Sequence, residues 1–127
     1  MRVRVFATSR YEKEVGRLLT EPEQAAMQLA IAADPAACPV IPGTGGIRKA
    51  RWARQGKGKS GGVRVIYYYW RASEEIAPRG LTPEVYLLSI YAKNDQSDMT
   101  AADRKAAKKF VEGLKDAKKQ AGWQTRG

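Results

Sequence analysis

The chain has 127 residues, enough for one domain whose core removes roughly two-thirds of the unfolded surface from water with no help from disulfides or metals. At 43% hydrophobic and 28% charged residues it has the make-up of a globular protein, and no stretch approaches the ~20 apolar residues of a membrane span. Lys and Arg outnumber Asp and Glu by 23 to 13, a net charge of +10, and histidine is absent, which excludes Ser-His-Asp and Cys-His catalysis, histidine-bearing zinc sites and RNA cleavage by paired histidines. The single cysteine, Cys38, permits no internal disulfide and reads as a buried or incidental thiol. With no signal-peptide pattern at the start, the expected location is the cytoplasm.

Alternating residues from Arg2 to Phe6 predict an edge strand. Ser9-x-x-Glu12 has the form of a capping box, and Tyr11, Val15, Leu18 and Leu19 recur at helical spacing behind it. Thr20-x-x-Glu23, with Pro22 in the first turn, starts a second helix through Met27, Leu29 and Ile31, which stops before Asp34-Pro35 and forms an antiparallel hairpin with the first. After the irregular stretch from Pro39 to Gly46, strands are predicted at Ile47 to Ala53, Val63 to Trp70 and Val85 to Lys93. Residues 71–84 read as a long surface connection. Thr100-x-x-Asp103 caps a last helix, about 101–121, with an apolar stripe of Ala102, Ala106, Phe110, Leu114 and Ala117. The order β-α-α-β-β-β-α predicts a single α+β domain over residues 1–127, in which a small, mainly antiparallel sheet carries the helical hairpin on one face.

The charge is uneven. Residues 41–71 carry eight cations and no acid, whereas residues 21–40 and 72–99 are each net −3. Such a segment has the footprint of a polyanion binder, because each phosphate contact releases counterions. It lacks the apolar helical stripe that docking on a membrane requires. Side chains two apart on a strand share a face, so Lys49 and Arg51 point together while Ala50 and Trp52 turn to the core. Arg64 opens the next strand, and Ser89, Tyr91 and Lys93 share a face of the last one, opposite Leu88 and Ile90. If these strands pair, Lys49, Arg51, Arg64, Tyr91 and Lys93 form one concave basic surface, fringed by Arg54, Lys57 and Lys59 as RNA contacts.

Fixed cations on such a surface favour the extra negative charge of the phosphorane formed when RNA is attacked by its own 2′-hydroxyl. Arginine forks suit phosphate oxygens, and a lysine crowded by cations shifts toward the range useful for proton transfer, so Lys49 or Lys93 is the expected acid or base. Tyr91 is placed to stack a base or donate a proton. No metal or cofactor is required. A phosphate-binding groove without catalysis accounts for the same residues. Gly56-Lys57-Gly58-Lys59-Ser60 lacks the spacing of a nucleotide-binding P-loop and joins two strands, and Tyr67-Tyr68-Tyr69 belongs mainly to the core because alternation sends its members to both faces.

Three blocks carry a resemblance: Ile41-Pro-Gly-Thr-Gly-Gly-Ile-Arg-Lys49, the run from Gly56 through Arg64 to Tyr69, and Leu87-Leu-Ser-Ile-Tyr-Ala-Lys-Asn94 followed by Asp98-Met-Thr. Together they resemble the HigB-type branch of the RelE/ParE toxin superfamily, over nearly the whole chain up to the last helix. The resemblance implies a RelE-like fold and a toxin of a type II toxin–antitoxin pair. It further implies a ribosome-dependent endoribonuclease, an mRNA interferase that cuts mRNA in the A site, inhibits translation and is silenced by a helix-turn-helix antitoxin of the HigA type. By position, the family's basic catalytic residues fall on Lys49, Arg51, Arg64 and Lys93. Where RelE has an arginine after the lysine of the last strand this chain has Asn94, and RelE's downstream tyrosine is not matched by Met99 or Thr100, which leaves Tyr91 or Lys57 as the alternative acid. The ParE branch resembles gyrase inhibitors and needs no phosphate-facing cations; the basic run from Arg48 to Arg64 favours the nuclease over that non-enzymatic poison.

Overall fold

The computed structural model describes residues 3–54, 62–71 and 82–120, in the order β1 (Arg4–Ala7), α1 (Ser9–Leu18), α2 (Glu21–Ala33), β2 (Ile47–Trp52), β3 (Val63–Trp70), β4 (Glu84–Ala92) and α3 (Ala101–Gln120). The expected start of the first strand at Arg2, the loop lysines Lys57 and Lys59, most of the 71–84 connection and the end of the last helix at 121 lie outside the described residues. The four strands form one sheet in the order β1-β4-β3-β2, parallel between β1 and β4 and antiparallel elsewhere. This is the mainly antiparallel α+β arrangement that the pattern of elements predicts. No helix among the described residues is long and apolar enough to cross a membrane.

Each face of the sheet buries a different helical layer. On one face Tyr11, Val15, Leu18 and Leu19 of the first helical segment, with Met27 and Ile31 of α2, pack against Ala50, Val65, Tyr67 and Leu87. Cys38 lies at the margin of this cluster. On the other face Ala107 and Val111 of α3, with Met99 before it, pack against Ile47, Ile66, Tyr68, Trp70 and Leu88. All three tyrosines of the 67–69 run go into these layers, Tyr67 and Tyr69 on one side and Tyr68 on the other.

Several local expectations shift, each for a geometric reason. The N-cap of α1 is Thr8 rather than Ser9. Backbone pairing to Leu87 pins Thr8 at the end of β1, and its Oγ1 donates to the Leu88 carbonyl (2.8 Å) while accepting from the Tyr11 N–H (3.2 Å). The capping box of Thr20 and Glu23 forms as the spacing requires. Leu29 is 72% exposed, because it lies two residues, about 200° around the helix, from the buried pair Met27 and Ile31. In α3 the buried line runs through Ala107 and Val111, flanked by Phe110 and Leu114, and Ala102 and Ala117 face outward. Alanines offer too little area to set the rotation of a helix when larger apolar residues compete.

The connection into β2 is tightened at Thr44, whose Oγ1 donates to the Ile41 carbonyl (2.5 Å) and accepts from the Ile47 N–H (3.1 Å). Gly46 sits there at φ +113°, and a Cβ on it would stand 3.1 Å from the Tyr68 ring. Gly46→Ala is therefore expected to destabilise the fold by about 1–3 kcal/mol, read as a lower urea midpoint at unchanged slope. Arg48 is occupied in the same region, donating to the carbonyls of Cys38 (2.5 Å) and Ala36 (3.1 Å).

Candidate functional site

Register brings the central cations together. Arg51 of β2 is opposite Arg64 of β3, and Arg64 is in turn opposite Tyr91 of β4, so the three form one row across the sheet. The next row is Lys49, Ile66 and Ser89. Cβ atoms of directly opposite residues lie about 4.5–5.5 Å apart. Two arginines in such positions repel each other, a cost that a purely structural strand would avoid by placing an acid between them. Among the described residues no carboxylate forms an ion pair with Arg51, Arg64 or Lys93. Arg51 is exposed and Arg64 half-buried, its Nη1 donating to the Val63 carbonyl (3.3 Å).

Lys93 lies one position beyond the strand, exposed in a turn, with its backbone N–H on the Gly62 carbonyl (3.0 Å). Arg54 follows β2, half-buried. The sheet face is not open along its whole length, because α3 crosses it over Ile66, Tyr68 and Trp70; Tyr91 is buried in this layer, and Arg51 and Arg64 lie beyond it. β4 departs from strict alternation. Ile66 pairs with Ser89 but Tyr67 with Leu87, so Leu88 is the extra residue of a β-bulge. Leu88 therefore packs in the same layer as Tyr91, not opposite it as strict alternation requires.

The link between β4 and α3 brings in groups with no signal in the strand pattern. Asp98 Oδ1 is 3.6 Å from Lys49 Nζ. The Met99 N–H holds the Asp98 carboxyl below its ordinary range against the opposing effect of burial, and Lys49 and Arg104 add to the lowering. Asp103 is the hub of a second cluster: it accepts from Arg10 of α1, from the Thr100 N–H (3.3 Å) and from the Gln96 amide (3.4 Å), while its own N–H is capped by Thr100 Oγ1 (3.0 Å). The Thr100-x-x-Asp103 spacing predicts the cap; the reach of Arg10 across 93 residues has no local signature.

Burial alone would raise the Asp103 carboxyl, but hydrogen bonds from Arg10, Thr100 and Gln96 outweigh it and hold it below the usual value. A depressed folded pKa stabilises the protein above the unfolded value of about 3.9, and that contribution fades as pH falls through the folded pKa. Asp103→Asn should thus flatten the acid limb of stability: the loss of unfolding free energy between pH 6 and pH 3, from urea titrations, becomes smaller in the variant than in the parent.

Tyr91 is 6% exposed, and burial raises its phenol above the ordinary value, with Asp98 adding to the rise and Arg64 opposing it. It is a neutral hydrogen-bond donor at physiological pH. Beside it, a cleft of about 640 Å3 straddles the outer edge of β4 past the end of β1, between α1 and the link to α3. Among the described residues, no three Cys, Asp or Glu side chains gather as metal ligands.

Fold and site together define a small α+β protein whose sheet displays two facing guanidinium groups beside a buried phenol. No protein-family model matches the chain. Among solved structures, a mutant of the E. coli toxin RelE in its free state matches with a TM-score of 0.51 at 16% identity, covering 87% of this chain and 99% of that one. The fold is RelE-like.

Proposed function

We propose that the protein is the toxin of a type II toxin–antitoxin pair and an endoribonuclease of the HigB type, cleaving mRNA in the ribosomal A site without a cofactor. The observation that carries this reading is the row of Arg51, Arg64 and Tyr91, with Lys49 in the adjacent row, on a fold shared with a named toxin. In this mechanism the RNA 2′-hydroxyl loses its proton to a base, Lys49 or Lys93, as its oxygen attacks phosphorus. The two guanidinium groups hold the non-bridging oxygens, whose charge grows in the phosphorane. Tyr91, kept neutral by its surroundings, is the donor to the departing 5′-oxygen once its buried hydroxyl turns outward, and the products are a 2′,3′-cyclic phosphate and a free 5′-hydroxyl. Arg54, Lys57 and Lys59 guide the flanking RNA.

The partner in this proposal is a helix-turn-helix antitoxin that covers or distorts the basic row. Inducing the protein and mapping mRNA 5′ ends tests the reading. Cuts in phase with codons on translated messages support it, double-strand DNA breaks with intact mRNA point to a gyrase poison, and salt-dependent RNA binding without cuts points to a non-catalytic module.

A further inference from the structure

We propose that the cleft between α1 and the end of β4 is a nucleobase pocket, which receives a base next to the scissile phosphate and sets which nucleotides are cut. This rests on the ribonuclease reading for its biological role but makes a binding claim of its own. Its volume of about 640 Å3 lies within the range of small-ligand sites, roughly 300–1,000 Å3. A smaller recess of about 130 Å3 continues from it under α3, sharing Ser89 and floored by Leu88, Ala107 and Phe110, an apolar surface suited to the face of a ring.

Charge argues against a second phosphate site. The cleft is lined by Arg10, Lys13 and Arg17 and equally by Glu14, Asp95 and Asp103, three cations against three acids. Arg10 pairs with Asp103, and Arg17 with Glu14 (2.6 Å) and Asp95 (3.7 Å). The lining is thus neutral yet dense in donors and acceptors, which matches the edge of a base rather than a dianion.

Two residues of the wall tie the cleft to the cation row. Ser89 and Tyr91 both line it, 8% and 6% exposed, and their hydroxyls are buried beneath its surface with no hydrogen-bond partner among the described residues. A heterocycle seated against this wall offers ring nitrogens and exocyclic groups to the two hydroxyls once their side chains turn outward. Alternation along β4 sets Ser89 on the same side as Tyr91, and the bulge adds Leu88 to that layer. Tyr91 also stands directly opposite Arg64, so pocket and cation row meet at one residue.

The test is a titration of 15N-labelled protein with the four ribonucleoside 3′-monophosphates and, as a base-free control, ribose 5-phosphate. Amide shifts at residues 89–96 and on α1 that require a base, with affinities differing by about tenfold between bases, support the pocket. They should vanish in Ser89→Leu, which fills the cleft, and weaken in Ser89→Ala, the milder variant if leucine perturbs folding. Shifts confined to the Arg51 and Arg64 face and reproduced by ribose 5-phosphate overturn the pocket while leaving the ribonuclease reading intact. No shift with any nucleotide, or a response of the cleft amides only to antitoxin peptide, likewise overturns it. Absence of cuts in mapped mRNA, with base-dependent shifts present, would instead sink the ribonuclease reading and leave the pocket standing.

Discussion

Replacing Arg64 by alanine is expected to lower mRNA cleavage by about 10²–10³-fold, the effect of deleting one fixed charge donor from a developing oxyanion. Arg64 holds the centre of its row, between Arg51 and Tyr91, and among the described residues no other cation occupies a geometrically equivalent position. Its loss also removes like-charge repulsion with Arg51, so the variant should fold at least as well as the parent, and a thermal melt separates the two effects. Arg64→Lys keeps the charge but not the fork and should recover only part of the rate. The measurement is the yield of codon-phased 5′ ends per unit of folded protein. Unchanged cleavage in Arg64→Ala would remove the phosphate-gripping role from this row.

The largest effect on stability is expected at the far end of α3. Lys118 Nζ lies 2.6 Å from Glu84 Oε1 and 4.0 Å from the centre of the Trp70 ring, and the Tyr86 hydroxyl donates to the same Glu84 oxygen (2.5 Å). The two charged side chains are only 19% and 10% exposed. Burial together with the Glu84 carboxylate pushes the Tyr86 phenol well above its ordinary value, so Tyr86 remains a donor throughout the accessible range. Lys118→Ala leaves the carboxylate buried and short of its countercharge, and removes the cation from the Trp70 face, at a cost of about 3–5 kcal/mol. For a domain of this size that is a fall in melting temperature of roughly 10–20 °C. Combining Lys118→Met with Glu84→Gln should restore most of it, because a neutral, well-packed pair avoids the desolvation of both charges. If Lys118→Ala melts with the parent, α3 is not held by this pair.

Some elements were legible because local physics suffices for them. Val63 to Trp70 is a strand within its expected bounds, since β-branched and aromatic residues crowd it and glycines precede it. Tyr11, Val15 and Leu18 are buried as their spacing requires, and Thr20 and Glu23 close their capping box. The common face of Lys49 and Arg51 follows from a period of two within a single strand. Alternation failed at Leu88, because a bulge depends on how β3 and β4 register and not on either strand alone. The rotation of α3 was not legible because alanine-rich helices present weak contrast between faces, and the partner surface chooses the rotation.

What the sequence by itself determined is the set of elements, their order, the absence of histidine chemistry and the concentration of positive charge in the strands that follow the helical hairpin. Only the tertiary structure decided that Arg51, Arg64 and Tyr91 stand in one row, that α3 takes the rest of that face, that Asp98 meets Lys49 from the link behind β4, and that Asp103 meets Arg10 from the first turn of α3. The difference is physical. Periodicity and capping act within a few residues and leave a local imprint, whereas cross-strand register, the bulge and the pairing of Arg10 with Asp103 arise when the core closes and joins segments far apart along the chain.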